Sequence, residues 1–386
     1  MAESLKISAI IVYQNCNKSE NQMNLLIFNI GSSTVKYAVF SDLELKLKGI
    51  IEKIKDNAGY ITAINHISRL LKNKNIKIDA IGHRIVHGGT IRESKVINNR
   101  LIKIIEKYSE FAPLHNPPEL IGIEYCKKIF NCKQIAVFDT AFFSQLPMKS
   151  YIYGLPYKYY LKYGIRRYGF HGISHNYVCI KASEILKKDF KNLKMITCHL
   201  GNGCSISAID NGVCIDTSMG LTPLEGLVMG TRTGDVDVGA VLHLMEKENF
   251  SIKELREILN KKSGLLGISG ISRDFRTLLK SKNKHAKLAL DIFAYRITKY
   301  IGAYITALNG ADAIVFTGGI GENSPELREM VLQNLEFVGL RLDKSKNYEN
   351  AEIITRKDSI IISLAIKTNE ELMIAKEVTH LINKAS

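Results

Sequence analysis

Asn29-Ile30-Gly31-Ser32-Ser33-Thr34-Val35-Lys36 places an amide, a glycine, three hydroxyls and a lysine in one short stretch. Glycine lets backbone approach a ligand closely, and the N–H groups and hydroxyls of such a turn can surround an anion. The same chemistry returns twice. His199-Leu200-Gly201-Asn202-Gly203-Cys204-Ser205 sits between two strands and mirrors the first turn. Phe316-Thr317-Gly318-Gly319-Ile320-Gly321-Glu322-Asn323-Ser324 joins a buried strand to a helix start. There the free N–H groups and the positive end of the helix dipole favour anions. Its spacing is neither a P-loop nor a dinucleotide fingerprint. One anion site with two echoes points to a nucleotide whose phosphate tail is held from two sides; plain tight corners are the alternative.

Two arginines sit beside glycines: Arg84 in Gly82-His83-Arg84-Ile85-Val86-His87-Gly88-Gly89, and Arg232 in Thr231-Arg232-Thr233-Gly234-Asp235. A guanidinium fork meets a carboxylate or phosphate at two points; a structural salt bridge is the other reading of each. His83 and His87 lie four apart on a strand, which is not the helical metal-ligand spacing and argues against zinc. Asp139 ends a buried strand, where a carboxylate holds a metal, acts as a base or caps a turn. His171 lies in Arg166-Arg167-Tyr168-Gly169-Phe170-His171-Gly172-Ile173-Ser174-His175, rich in phosphate- and proton-handling types. Ser174 is either part of that chemistry or the N-cap of the next helix. Glu370 and Glu371 open a helix, as magnesium ligand or as partners of its macrodipole.

The elements that must position these groups follow from periodicity. Residues 25–29, 35–40 and 45–51 read as a three-stranded meander, 60–71 as a helix with Ile61, Ile64, Ile67 and Leu71 at helical spacing. A strand at 80–86, a helix at 119–130 entered through Pro117-Pro118, and a strand at 134–138 complete the first half. The second half repeats the order: strands at 194–200, 205–209 and 213–215, the last two joined by Asp210-Asn211-Gly212, a strong hairpin signal. Long helices follow, including 288–308, then a strand at 314–316, a helix opened by Ser324-Pro325-Glu326, a strand at 360–364 and a helix at 370–383. A βββαβαβ order read twice implies an α/β protein of two similar domains with a cleft between them.

Composition narrows the class. The 386 residues exceed one compact core. The net charge is +15, yet the lysines are dispersed and no zinc-finger or basic-zipper spacing occurs, so a compositional bias is preferred to a nucleic-acid or membrane surface. Seven cysteines, odd in number and irregular in spacing, read as a reduced, cytoplasmic inventory. No apolar run approaches the ~20 residues of a membrane span. Residues 1–23 read as an N-terminal extension, a candidate disordered segment that lacks the long apolar region of a signal peptide, with Met23 as an alternative start. The domains are then drawn as 24–142 with 372–386, and 143–371.

Taken together these stretches resemble the acetate kinase family, in the superfamily of sugar kinases, heat-shock chaperones and actin. The resemblance runs from Asn24 to the C-terminus. Besides the stretches above it rests on Pro113-Leu114-His115-Asn116-Pro117-Pro118, Phe138-Asp139-Thr140-Ala141-Phe142, Asp216-Thr217-Ser218-Met219-Gly220-Leu221-Thr222-Pro223-Leu224-Glu225-Gly226, Ser272-Arg273-Asp274-Phe275-Arg276 and Thr368-Asn369-Glu370-Glu371-Leu372. It implies two actin-like (ribonuclease H-like) domains, each a mixed sheet flanked by helices. It further implies reversible phosphoryl transfer from ATP to acetate, giving acetyl phosphate and ADP, with Mg2+ or Mn2+, in a cytoplasmic homodimer that binds neither nucleic acid nor membrane.

Position by position, the resemblance makes Arg84, Asp139, His171 and Arg232 active-site residues and Val86, Leu114, Phe170 and Pro223 an acyl pocket. Asn29, Ser32, Thr34 and Lys36 match the first phosphate loop. His199, Gly201, Asn202, Gly203, Asp274, Phe275, Arg276, Gly319, Ile320, Gly321, Glu322 and Asn323 match nucleotide contacts, and Asn29 and Glu370 a metal site. Phe143, Ile173 and Val238 depart from the family pattern, where histidine, threonine and proline are usual; they bear on loop geometry. Acetate is already ionised at neutral pH, so the acceptor needs positive charge, not a base, and Arg84 and Arg232 supply it. Propionate kinase is the near alternative and a non-enzymatic actin-like ATP-binding module the distant one.

Overall fold

The computed structural model describes residues 6–12 and 22–384. The chain divides into two units, Met1–Ser144 with Asn369–Ser386, and Gln145–Thr368. The sequence had drawn these divisions at 142/143 and 371/372.

Unit 1 is built on a seven-stranded mixed sheet: β1 (Lys6–Val12), β2 (Asn24–Ile30), β3 (Thr34–Ser41), β4 (Glu44–Glu52), β5 (Ala80–Ile85), β6 (Lys95–Val96) and β7 (Lys133–Phe138), in the order β1-β4-β3-β2-β5-β7-β6. Leu25, Leu26, Ile27 and Phe28 are all buried, as an unbroken apolar run in a central strand covered on both faces requires. β3 and β4 turn back antiparallel, whereas β5 and β7 run parallel to β2. The Asn57–Asn73 helix is capped by Asp56 and buries Tyr60, Ile64, Ile67 and Leu71 against the sheet core. The Asn116–Ile129 helix starts with its prolines in the first turn, where a missing N–H costs nothing.

Unit 2 carries β8 (Lys194–Leu200), β9 (Cys204–Asp210), β10 (Val213–Thr217), β11 (Ala313–Thr317) and β12 (Ile362–Ala365), ordered β10-β9-β8-β11-β12. This winding is that of β4-β3-β2-β5-β7: a meander, then two strands added parallel on the other side of its first strand. Asn211 and Gly212 both take positive φ, the geometry of a tight hairpin turn.

Three differences from the sequence reading stand out. Lys6–Val12, placed in the extension, pairs antiparallel with β4; residues 1–5 and 13–21 of that extension lie outside the described residues. The Asn99–Lys107 helix, capped by Asn98 and burying Leu101, Ile102 and Ile105, had not been read. Ser174 is not an N-cap: the Gly172–Leu186 helix is entered through His171 at φ 60°, and Ser174 lies inside it.

Candidate functional site

In unit 1, Asn29, Arg84 and Asp139 stand at the carboxyl ends of the neighbouring parallel strands β2, β5 and β7, where ligand sites of open α/β sheets form. Arg84 donates from Nη2 to Asp139 Oδ2 at 2.7 Å and from Nη1 to Asn29 Oδ1 at 3.0 Å. Asn29 donates from Nδ2 to Glu370 Oε2 at 3.0 Å, which brings the start of the Glu370–Lys384 helix to the same spot. Asp139 is 1% exposed. Burial alone would depress the Arg84 guanidinium, but Asp139 and Glu370 outweigh it and hold its pKa above the ordinary value. Of the two sequence readings of Arg84, the ion pair is present, and its partners Asn29 and Asp139 are themselves predicted site residues.

The first glycine turn is held shut at its base, with Gly31 donating to Thr34 O and Tyr60 donating to Gly31 O. Ser32 and Lys36 are exposed, and Lys36 lies across from Asn29 in the β2–β3 register. Val86 is buried and donates its N–H to Glu119 Oε2 at 3.1 Å; Leu114 is exposed. Glu119, read in sequence only as a helix start, is a fully buried carboxyl beside the site. His83 is buried, bonded to Gln134, with its pKa pushed down by burial to about 4.

In unit 2 the second and third glycine turns come together. A methyl group built on Gly201 would stand 3.8 Å from the Gly319 backbone nitrogen. One built on Gly203 would stand 3.2 Å from the His171 ring and 3.5 Å from Arg232 Nη1, so glycine here keeps three predicted site residues in close approach. Residues 229–232 form a tight loop pinned by Ser263 and Leu265, which donate to Thr231 O and Met229 O. From it Arg232 donates Nη1 to Pro223 O at 3.0 Å, and Met229 Sδ is its other polar neighbour. No carboxylate pairs with Arg232 among the described residues, and burial pushes its pKa below the ordinary value.

Beside it, a relay of hydroxyls and imidazoles fixes the histidines. Ser205 Oγ bonds both His171 Nδ1 at 2.9 Å and His175 Nε2 at 2.7 Å, while Ser174 Oγ bonds His199 Nδ1 at 2.8 Å and Thr368 Oγ1 at 2.9 Å. The His171 and His199 rings stack 4.3 Å apart. Burial, and then the neighbouring His199, hold His175 far below its ordinary pKa, so it is neutral. Ser205, His175 and Thr368 were not singled out in the sequence; their hydroxyls and ring matter only through partners distant along the chain.

The remaining predicted residues lie around the third turn and the Phe275–Leu279 helix. Glu322 Oε1 accepts from Gly318 N and Thr368 N, so this carboxylate braces the turn from within. Gly319 and Asn323 are exposed and Ile320 half-buried. Asp274 caps the Phe275–Leu279 helix and pairs with Arg276; the hydrogen bond from Arg276 lowers the Asp274 pKa to about 2. The Phe275 ring is buried against Phe293, which leaves its backbone for any ligand contact. Phe170 is buried and Pro223 half-buried.

For magnesium one carboxylate is in place, and among the described residues no group of three or more His, Cys, Asp or Glu gathers to hold a metal ion. The cation takes hard oxygens, one or two protein carboxylates with the rest from phosphates and water; Glu370 supplies such an oxygen beside the Asn29 amide. No helix among the described residues is long and apolar enough to cross a membrane.

The two sheets are wound alike, as in a pair of actin-like domains, and glycine turns and guanidinium groups gather near the central strands of each. The Acetokinase family model matches residues 24–376. The acetate kinase of Caldicellulosiruptor saccharolyticus is 47% identical over 94% of this chain and 100% of its own, and that of Halothermothrix orenii 47% identical over 93% and 100%. Among solved structures, Porphyromonas gingivalis acetate kinase superposes with a TM-score of 0.85 at 40% identity, covering 93% of this chain and all of its own. A Francisella tularensis propionate kinase gives 0.85 at 39%, covering 92% and 98%. The chain belongs to the acetokinase family, kinases that transfer phosphate to a carboxylate.

Proposed function

We propose that this protein catalyses reversible, magnesium-dependent transfer of the ATP γ-phosphoryl group to acetate, giving acetyl phosphate and ADP by direct in-line transfer. The observation that carries the reading is Arg232: a desolvated guanidinium with no acid partner among the described residues, packed beside His171 and a glycine turn. An unneutralised buried cation is prepared for an anion, and a phosphoryl group in flight spreads negative charge over its equatorial oxygens. His171 adds a donor to those oxygens, and the turns holding Gly201, Asn202, Gly203 and Gly319 offer backbone N–H groups to the nucleotide phosphates. Arg84 serves the acetate carboxylate, with Asp139 and Asn29 fixing the orientation of its fork. Val86 and Leu114 of unit 1, and Phe170 and Pro223 of unit 2, are each proposed as contacts of the acyl group. Asp274, Phe275 and Arg276 are proposed for the adenosine.

Magnesium, held by Glu370 with Asn29 beside it, would offset charge on the phosphates. No group here needs to act as a base, because the acceptor is already ionised. Catalysis is alignment plus charge stabilisation. Exposed apolar side chains at Val236, Val238 and Leu242 support a homodimer, and the six described cysteines, all free thiols, suit a reducing cytoplasm.

A propionate kinase stands among the structural relatives, so chain length is the point to test. ATP, magnesium and acetate are incubated with hydroxylamine to trap the acyl phosphate, with propionate and butyrate in parallel. Acetyl hydroxamate formed fastest supports the proposal; equal kcat/KM for acetate and propionate would make propionate kinase the better description, and no hydroxamate from any acid would refute both.

A further inference from the structure

Among the described residues, Glu119 is the buried acid beside Arg84 and Val86 that takes no part in the proposed transfer. It is 1% exposed. Its Oε2 accepts the Val86 N–H at 3.1 Å, and its Oε1 has no hydrogen-bond partner among the described residues. The next residues along β5's exit are tied to the same helix: His87 N donates to Asn116 Oδ1, and Asn116 Nδ2 donates back to His87 O. The Asn116–Ile129 helix therefore grips the strand exit that carries Arg84 and Val86.

The charged groups acting on Glu119 are Arg84 from β5 and Asp139 from the end of β7, and Glu370 acts on the same guanidinium from its own helix. An ionised Glu119 would be a third carboxylate set against one guanidinium, with an oxygen left unpaired in the interior, an arrangement that burial strongly disfavours. A protonated one needs no counterion.

Resting on the reading of Arg84 as the carboxylate-binding arginine, we propose that Glu119 is a positioning residue: as a neutral acid it pins the Val86 backbone and leaves Arg84 charged toward the acyl substrate. Burial pushes its carboxyl up to about 8, against the pull of Arg84. Raising the pH through that value adds a negative charge beside Arg84 and weakens binding of the acceptor anion.

The test compares wild type with Glu119→Gln, which keeps the acceptor for Val86 and cannot ionise. From about pH 7 to about pH 9 the wild-type KM for acetate rises about tenfold while kcat holds; the variant's KM stays level. Thermal unfolding gives a second readout. The folded state retains a proton that the unfolded chain gives up above roughly pH 4.3. Wild-type stability therefore declines between that value and about pH 8 relative to the variant. Should the variant not fold, infrared titration of the wild type serves: the carbonyl band of a protonated carboxyl disappears in step with the KM rise.

Superimposable KM profiles in two active enzymes, or a carboxyl band already lost at neutral pH, would overturn the proposal alone. A lack of acyl phosphate formation in both proteins would overturn the kinase reading and take this proposal with it.

Discussion

Arg84 and Arg232 are both set beside glycine turns but in opposite electrostatic surroundings. Arg84 sits among acids, bonded to Asp139 and Asn29, with Glu370 raising its pKa further. Arg232 has a carbonyl and a thioether, and burial depresses it. Two units wound in the same strand order thus hold one guanidinium that is ion-paired and one that is not. The acids around Arg84 suit a cation and an oriented fork; the surroundings of Arg232, with no carboxylate bonded to it among the described residues, suit developing negative charge. A shared fold sets where each arginine stands, and its neighbours set what each can do.

Removing each guanidinium in turn separates the two surroundings most strongly. Arg84→Ala and Arg232→Ala should each lose about a thousandfold or more in kcat, measured by acyl phosphate formation. Their stabilities should diverge. Removing Arg84 takes the ion-pair partner from the buried Asp139 carboxylate, a loss of about 3–5 kcal/mol in denaturant unfolding. Removing Arg232 strands no carboxylate and should leave the midpoint unchanged or higher. Equal destabilisation by the two would end the distinction. Adding Asp139→Asn to Arg84→Ala should return most of the stability and none of the activity.

A smaller effect is expected from crowding the surroundings of Arg232. A methyl group on Gly203 would press on His171 and Arg232. Gly203→Ala should lower kcat about tenfold, since sub-ångström misplacement of reacting groups is costly, while leaving the fold intact because Gly203 does not require positive φ. A wild-type kcat there would mean that the close approach is incidental.

Chain length comes next. One methylene changes preference by only about 1–3 kcal/mol, so propionate should be slower than acetate by roughly tenfold in kcat/KM and never excluded. The mildest prediction concerns acid. His83 is buried neutral, its pKa lowered to about 4 from an ordinary value near 6.5, so the unfolded chain takes up the proton first. Its share of stability is present above that ordinary value and is lost as pH falls toward about 4. His83→Gln should flatten this part of the pH–stability curve.

Local patterns revealed much of this protein. The apolar run of β2, the Asp210-Asn211-Gly212 turn and the repeated βββαβαβ order were readable because side-chain periodicity and turn chemistry act between near neighbours. The glycine-rich stretches identified the family for the same reason. The short β6 and the Asn99–Lys107 helix escaped: a two-residue edge strand carries no period, and an amphipathic helix of nine residues is held mainly by what it packs against. Ser174 looked like a cap because a serine before a helical pattern resembles one, and only folding showed its hydroxyl between His199 and Thr368.

Residue types and their spacing were enough to nominate both arginines, Asp139, His171 and Glu370. Tertiary structure decided which arginine is ion-paired, that Asn29 meets a glutamate 341 residues away, and that Glu119 is sealed beneath Val86. Charge state depends on burial and on partners distant along the chain, and no local stretch of sequence contains either.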